Sequence, residues 1–144
     1  MTKNLVLIMA VVLAMGGTAQ ADGIDPIVTR QAGLDLLAGT FAGVKAVITA
    51  NGDVKTLEGA GTAIKKWAAQ FPTLFPAGSD TGNTKAAPAI WSDQAGFQKA
   101  AMRLSAAGEA LAAAAKSGDA SAVAAAFKET GDACGACHKD YRLK

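Results

Sequence analysis

The chain has 144 residues, of which 51% are hydrophobic, 18% are charged and only 6% are aromatic. This length suits one domain, and abundant alanine with few β-branched residues favours helices over sheets. The formal net charge is +2 at pH 7, and no basic block stands out. Charge therefore argues against nucleic acid as a partner.

Residues 1–21 have the features of a secretory signal peptide. Lys3 gives a positive start, Leu5 to Met15 is an unbroken apolar run, and Ala19-Gln20-Ala21 is a small-x-small cleavage site. The run is too short to span the ~30 Å of a bilayer core as a helix. We expect cleavage, a mature domain over 22–144 and a periplasmic location. No second apolar run of membrane length is recognised, so we expect no membrane insertion.

Four segments of the mature chain have helical periodicity, and no strand pattern is recognised. Apolar and small residues at spacings of three and four predict helices over about 25–50, 53–71, 92–117 and 120–142. The connections at 51–53 and 117–119 are short turns, which make the helices on either side antiparallel neighbours. The sequence therefore predicts an all-α fold, an antiparallel up-down-up-down four-helix bundle.

Residues 72–91 form a predicted loop, rich in proline and glycine, whose length is typical of functional segments. Phe75 and Trp91 bracket this loop and are expected to pin it to the core. Asp53 and Ser92 are the candidate N-caps of the helices before and after it. Glycines 59 and 61 inside the second helix indicate either a tolerated weakness or a close approach to another helix or subunit.

The motif Cys134-Gly135-Ala136-Cys137-His138 lies on the last predicted helix. The pattern Cys-x-x-Cys-His is the attachment signature of c-type haem. Two thiols at this spacing can add to the two vinyl groups of one porphyrin, and the adjacent imidazole can then reach the iron. The motif predicts one covalent haem c per chain, bound through Cys134 and Cys137, with His138 as the axial iron ligand.

Three other interpretations of the two cysteines remain open. A thiol oxidoreductase motif normally begins a helix that follows a strand, whereas this pair lies near the end of a helix. A structural disulfide between them would close only a very small loop. A zinc site would need four ligands, and the chain contains one histidine and two cysteines in all.

The second axial position of the iron depends on the remaining residues. A single histidine excludes bis-histidine ligation within one chain. Met102 is the one methionine outside the predicted signal peptide, and it lies next to Ala101 on the core stripe of the third helix. We interpret Met102 as packing filler, with a low-spin His/Met electron-transfer cytochrome as the alternative.

The sequence resembles cytochrome c′, the five-coordinate branch of class II c-type cytochromes, over essentially all of 22–144. The resemblance is carried by Cys134-x-x-Cys137-His138-x-x-Tyr141-Arg142, by Arg30-Gln31-x-x-Leu34 and by Pro88-x-Ile90-Trp91. It implies that Leu34 lies over the open iron face, where low-spin relatives place a methionine.

Further site residues are implied by the same resemblance. Arg30 and Gln31 match residues that contact the haem and its propionates, and Arg142 matches an arginine beside the proximal imidazole. Phe75 matches an aromatic of the haem pocket, while Thr84 and Lys85 align with a polar loop contact. The resemblance also implies a homodimer through the first two helices, which Gly33, Gly39, Gly43, Gly59 and Gly61 would suit.

We therefore expect a haem protein that binds nitric oxide and carbon monoxide, transfers electrons, or does both. A dry pocket beside Leu34 would offer no hydrogen bond to dioxygen, and nitric oxide would weaken the bond to His138. No general acid or base is evident near the motif, so we do not expect an enzyme. The sequence indicates no redox partner, because it has no strong charged patch.

Overall fold

A computed structural model describes residues 25–144, so the predicted signal peptide lies outside the described residues. Four long helices form the fold: α1 (Pro26–Thr49), α2 (Glu58–Gln70), α4 (Gln94–Ser117) and α5 (Ala120–Tyr141). The short α3 (Ala89–Ser92) precedes α4, and single 3-10 turns at Val54–Leu57 and Phe71–Leu74 flank α2. Residues 25–144 contain no strand, only an isolated bridge between Ala86 and Arg142.

Capping residues explain the starts of α1, α4 and α5 and the end of α4. The carboxylate of Asp25 accepts from the Ile27 backbone N–H at 2.7 Å, and Asp119 caps α5 in the same way. Gly118 ends α4 with a φ of 78°, which a residue with a side chain rarely adopts. The prediction of Ser92 as the N-cap of α4 is wrong. Asp93 caps α4, because Ser92 is still the last residue of α3 and the chain leaves helical geometry only at Asp93.

Helices α2 and α4 pack closely because glycine lies at their crossing. A Cβ atom added to Gly61 would lie 2.8 Å from the Ala112 Cα and from the Gly108 carbonyl oxygen. One turn further on, the Ser105 hydroxyl donates to the Lys65 carbonyl at 3.1 Å, so the two helices run antiparallel. Close approach within the chain is therefore the role of Gly61, and it does not lie at a subunit contact.

One end of the bundle is closed by side chains. Phe41 of α1 and Phe127 of α5 stack with ring centroids 4.2 Å apart. Below this pair the core is fully packed, with the following residues buried: Val44, Val54, Leu57, Leu111, Ala115, Val123 and Ala126. On the other side of the Phe41–Phe127 pair, the helices line a cavity.

Helix α1 differs from the other long helices in its exposed apolar surface. Only Arg30 and Val44 are buried along its 24 residues. By length and composition alone α1 is apolar enough to cross a membrane, with a mean hydropathy of 1.4 over 18 residues. The expectation that no such run follows the signal peptide is therefore wrong. Here, however, α1 forms one wall of the bundle.

Candidate functional site

A cavity of about 670 Å³ lies among α1, α2, α4, α5 and the segment 75–88. Its walls are mainly apolar, as is usual for a cofactor site. Every residue that the sequence analysis placed at the haem lines this cavity, namely Arg30, Gln31, Leu34, Phe75, Thr84, Lys85, Cys134, Cys137, His138 and Arg142. Residues more than 100 positions apart in the chain are thus brought to one space.

The α5 wall presents the two cysteines and the histidine on neighbouring turns. Cys134 and Cys137 are half-buried, while His138 is more exposed. Spacings of three and four residues place these side chains on one side of the helix. One turn earlier, Thr130 is buried and donates its hydroxyl to the Ala126 carbonyl at 2.8 Å, so it leaves no free donor there.

Burial raises the pKa of both thiols. The pKa of Cys137 rises to about 11, because burial, the nearby Cys134 and Asp140 all disfavour its thiolate. No disulfide joins the two cysteines. Redox-active thiols need a lowered pKa, since the thiolate is the nucleophile. The site therefore lacks the electrostatics of a thiol oxidoreductase.

The pKa of the His138 imidazole is shifted in the opposite direction, downward. Burial and the positive charge of Arg142 lower its pKa below the ordinary histidine value. A neutral imidazole, which is the form that binds metals, is thus favoured at neutral pH.

Arg30 on α1 is only 2% exposed and is held by the loop that follows α2. Its guanidinium donates to the Ser79 carbonyl at 2.6 Å, to the Thr84 hydroxyl at 2.8 Å and to the Ser79 hydroxyl at 2.9 Å. It also lies 4.6 Å from the centroid of the Phe75 ring. Burial lowers the pKa of Arg30, against the opposing charge of Asp25.

This arrangement adds a role that the sequence did not indicate. The resemblance implies that Arg30 and Gln31 contact the cofactor, and both do line the cavity. In addition, Arg30 binds the loop, and the Gln31 amide donates to the Asn83 carbonyl at 2.7 Å. The two residues therefore join α1 to the segment that carries Thr84 and Lys85.

An aromatic cluster forms the wall between the loop and α4. Phe75 lies edge-on to Phe71 and to Phe97, each with ring centroids 4.9 Å apart. Trp91 also meets Phe75 edge-on, and its indole N–H donates to the Pro76 carbonyl at 3.2 Å. The expectation that Phe75 and Trp91 hold the loop to the core is confirmed.

Sequence reasoning missed Trp67 as a cavity residue. Its ring fills the space above Gly33, where a Cβ atom would overlap the indole. Its indole N–H is buried without an acceptor among residues 25–144. Gly33 thus leaves room for a side chain of the same subunit. No local pattern signals this, since positions 33 and 67 meet only in the folded chain.

Met102 does not belong to the cavity wall. Its side chain is 57% exposed, so the interpretation of Met102 as packing filler is wrong. Successive residues of a helix are rotated by about 100° around its axis, so Met102 points away from the core that Ala101 faces. Among residues 25–144 no methionine lines the cavity, whereas Leu34 does.

The residues present fit a haem. A porphyrin has apolar faces, one edge that carries two carboxylates, and a metal that accepts imidazole. The cavity offers mainly apolar walls, two thiols and an imidazole on α5, and the buried guanidinium of Arg30. The donor set and the charge of the site therefore match this group.

Comparison with known proteins gives a consistent result. A family model described as Cytochrome C′ matches residues 25–142. A cytochrome c′ from Rubrivivax gelatinosus is 38% identical over 123 residues, which is 83% of this chain and 95% of the relative.

Two solved structures are also similar to this chain. One is the nitric oxide complex of a variant cytochrome c′ from Alcaligenes xylosoxidans, with a TM-score of 0.74, 30% identity and coverage of 83% of this chain and 94% of that one. The other is a cytochrome c′ with ligand-controlled dimer dissociation, with a TM-score of 0.78, 31% identity and coverage of 85% and 99%. With its four-helix bundle and its Cys-x-x-Cys-His motif, the chain belongs to the cytochrome c′ family of c-type haem proteins, and its cofactor is covalent haem c.

Proposed function

We propose that Cys134 and Cys137 form the two thioether bonds to one haem and that His138 is its axial iron ligand. The observation that carries this proposal is the single cavity into which α5 brings all three side chains. The haem supplies reversible one-electron chemistry and an open coordination position. The chain supplies the covalent attachment, the neutral imidazole and the apolar surroundings.

The open position is proposed to lie beside Leu34. Helix α1 lines the cavity here with Leu34, Leu37, Ala38 and Phe41, none of which has a hydrogen-bond donor in its side chain. The polar α1 residues of the same wall are Asp35, whose carboxylate only accepts, and Arg30 and Gln31, which donate to the loop. A bound dioxygen would gain no stabilising hydrogen bond from these residues, whereas nitric oxide and carbon monoxide need none. We therefore propose that the iron binds nitric oxide or carbon monoxide. Binding of nitric oxide would weaken the bond between the iron and His138.

Electron transfer is the second candidate function. His138 is exposed on the α5 wall, and Lys85 and Arg142 stand at the rim of the same cavity. A cofactor held there has a short path to the surface, which exchange with a redox partner requires. The family membership is compatible with both functions, and neither requires the chain to act as an enzyme.

We also propose a periplasmic homodimer. Leu36 is 74% exposed and Val28 is 58% exposed on α1. Gly39 and Gly43 on α1 and Gly59 on α2 have open space where a side chain would stand, so a second copy can approach closely. An apolar surface of this kind favours association over solvent exposure. Dilution in analytical ultracentrifugation should give a monomer at low concentration.

The test of the haem site is a mass and a spectrum of the purified chain. The mass should exceed that of the polypeptide over 22–144 by one haem, and the reduced protein should have the resonance Raman pattern of five-coordinate iron. A colourless product, or a mass equal to the processed polypeptide, would contradict the proposal.

A matched pair of variants tests the open position. Leu34→Met places a thioether at the cavity wall and should convert the reduced iron to a six-coordinate, low-spin form. Met102→Leu removes the methionine that lies outside the cavity and should leave the spectrum unchanged. If Met102→Leu alone altered the coordination, the low-spin His/Met alternative would replace our assignment.

A further inference from the structure

The final turn of α5 carries His138 and ends at Tyr141, one turn later. The Tyr141 hydroxyl donates a hydrogen bond to the Asp93 carboxylate at 2.8 Å. The other oxygen of that carboxylate accepts from the Gly96 backbone N–H at 3.1 Å, as the N-cap of α4. One carboxylate therefore binds both the end of α5 and the start of α4.

The backbone around Tyr141 is held as well. The Ala87 N–H donates to the Tyr141 carbonyl at 3.0 Å, and the Leu143 N–H donates to the Lys85 carbonyl at 2.8 Å. Between these two bonds, Ala86 and Arg142 form an antiparallel bridge. The end of α5 is thus fixed to the loop on one side and to Asp93 on the other.

The packing of α4 leaves room for this contact. A Cβ atom added to Gly96 would overlap both the Asp93 carboxylate and the Tyr141 hydroxyl. The Tyr141 ring packs edge-on against Phe97, with centroids 5.3 Å apart. The hydroxyl therefore reaches Asp93 from a ring that is already positioned by an aromatic neighbour.

His138 itself has no such anchor. Ligating histidines usually donate their second ring N–H to a carboxylate or a carbonyl, which fixes the orientation of the ring. Among the side-chain hydrogen bonds of residues 25–144, none involves the imidazole of His138. Its orientation must therefore come from the helical turn on which it stands.

We propose that Tyr141 and Asp93 are positioning residues for the proximal ligand, because their hydrogen bond fixes the turn that carries His138. The inference rests on the proposed role of His138 as the iron ligand. A turn held in this way keeps the imidazole within reach of the metal and restrains its departure when a gas binds on the opposite face. Loosening the last turn of α5 should favour the release of His138 from the iron.

The test compares Tyr141→Phe with Asp132→Asn in the haem-loaded protein. Tyr141→Phe keeps the ring on Phe97 and removes only the hydroxyl. Asp132→Asn breaks an exposed ion pair with Lys128 that stays within α5, so it is the matched control. In Tyr141→Phe, amide hydrogen exchange in residues 138–143 should be about 3- to 10-fold faster, the loss expected for one hydrogen bond. The control should match the parent protein.

Two spectroscopic readouts distinguish positioning from a merely structural role. The iron–histidine stretching band of the reduced protein should shift in Tyr141→Phe, and nitric oxide should displace His138 at a lower ligand concentration. Asp93→Asn leaves one acceptor oxygen for two donors, so it should shift both readouts in the same direction as Tyr141→Phe. Gly96→Ala, which displaces the pair without removing the hydroxyl, should reproduce the effect of Tyr141→Phe.

The outcomes separate the two proposals. A parent protein without an iron–histidine band would remove the assignment of His138 and this inference with it. The positioning role alone would be overturned if the parent protein has the band but Tyr141→Phe and Asp132→Asn give the same hydrogen exchange, the same band and the same displacement by nitric oxide. Faster exchange with an unchanged band and unchanged displacement would make Tyr141 structural, which also overturns it.

Discussion

The two ends of the bundle are built from the same four helices, but one end is packed with side chains and the other contains a cavity. At the closed end, Val44, Leu111 and Val123 are at most 1% exposed and fill the space between the helices. At the open end the same helices line a cavity of about 670 Å³. The difference shows that the apolar stripe of a helix predicts which residues face inward, but does not predict whether the interior between the helices is filled or left open.

The largest expected effect follows from breaking the closed end. Leu111 has no exposed surface, so Leu111→Ala leaves a cavity in packed surroundings. We expect a loss of about 2–5 kcal/mol in the free energy of unfolding, measured by denaturant titration of the haem-loaded protein.

The same truncation at the open end provides the comparison. Leu34 lines the cavity and is half-buried. Leu34→Ala should cost less stability than Leu111→Ala and should instead raise the rate at which carbon monoxide binds. Equal losses of stability, with an unchanged binding rate, would mean that the two ends are not distinct.

A second, smaller effect concerns the glycines of α2. Gly61→Ala would press a Cβ atom against α4, and we expect it to cost about 1–3 kcal/mol of unfolding free energy. Gly59→Ala, measured at concentrations low enough for the monomer, is the matched control, because open space surrounds that position within one chain and alanine favours helix. The control should be neutral or stabilising by up to about 1 kcal/mol. Thermal unfolding of both variants checks the pair.

The smallest expected effect is an acid dependence at the open end. Hydrogen bonds from Tyr141 and from the Gly96 N–H lower the pKa of Asp93. A lowered pKa contributes stability that is fully present above the ordinary carboxyl value of about 4 and is lost as the pH falls through the folded value. Asp93→Asn should therefore flatten the decline of the melting temperature below about pH 4. An unchanged acid profile would show that Asp93 contributes nothing to it.

Much of this structure can be predicted because the signals are local. Cys134, Cys137 and His138 stand within five residues, and their chemistry needs no tertiary information. Several helix ends follow from short-range caps, and two cap predictions were wrong. Asp93 rather than the adjacent Ser92 caps α4, and Asp53 caps the 3-10 turn at Val54–Leu57 rather than α2. Periodicity also placed Met102 near the core, although one residue of displacement turns it to solvent.

The remainder depends on pairs that meet only after folding. Arg30 and Ser79 are 49 residues apart, and no local pattern connects a basic residue on α1 to a loop hydroxyl. Trp67 above Gly33 and Tyr141 against Asp93 are of the same kind. Such contacts require the relative positions of the helices, which a single sequence does not specify.

The hydrogen bonds of Arg30 have a consequence for how this cavity changes over evolution. Because Ser79 binds the guanidinium of Arg30, which lies one turn before Leu34, we expect a substitution at position 79 to shift this part of α1. Ser79 does not line the cavity, yet its hydrogen bonds join α1 to the loop that carries other lining residues. Ligand preference can thus change through a buried residue behind the cavity wall while every residue that lines the cavity stays the same.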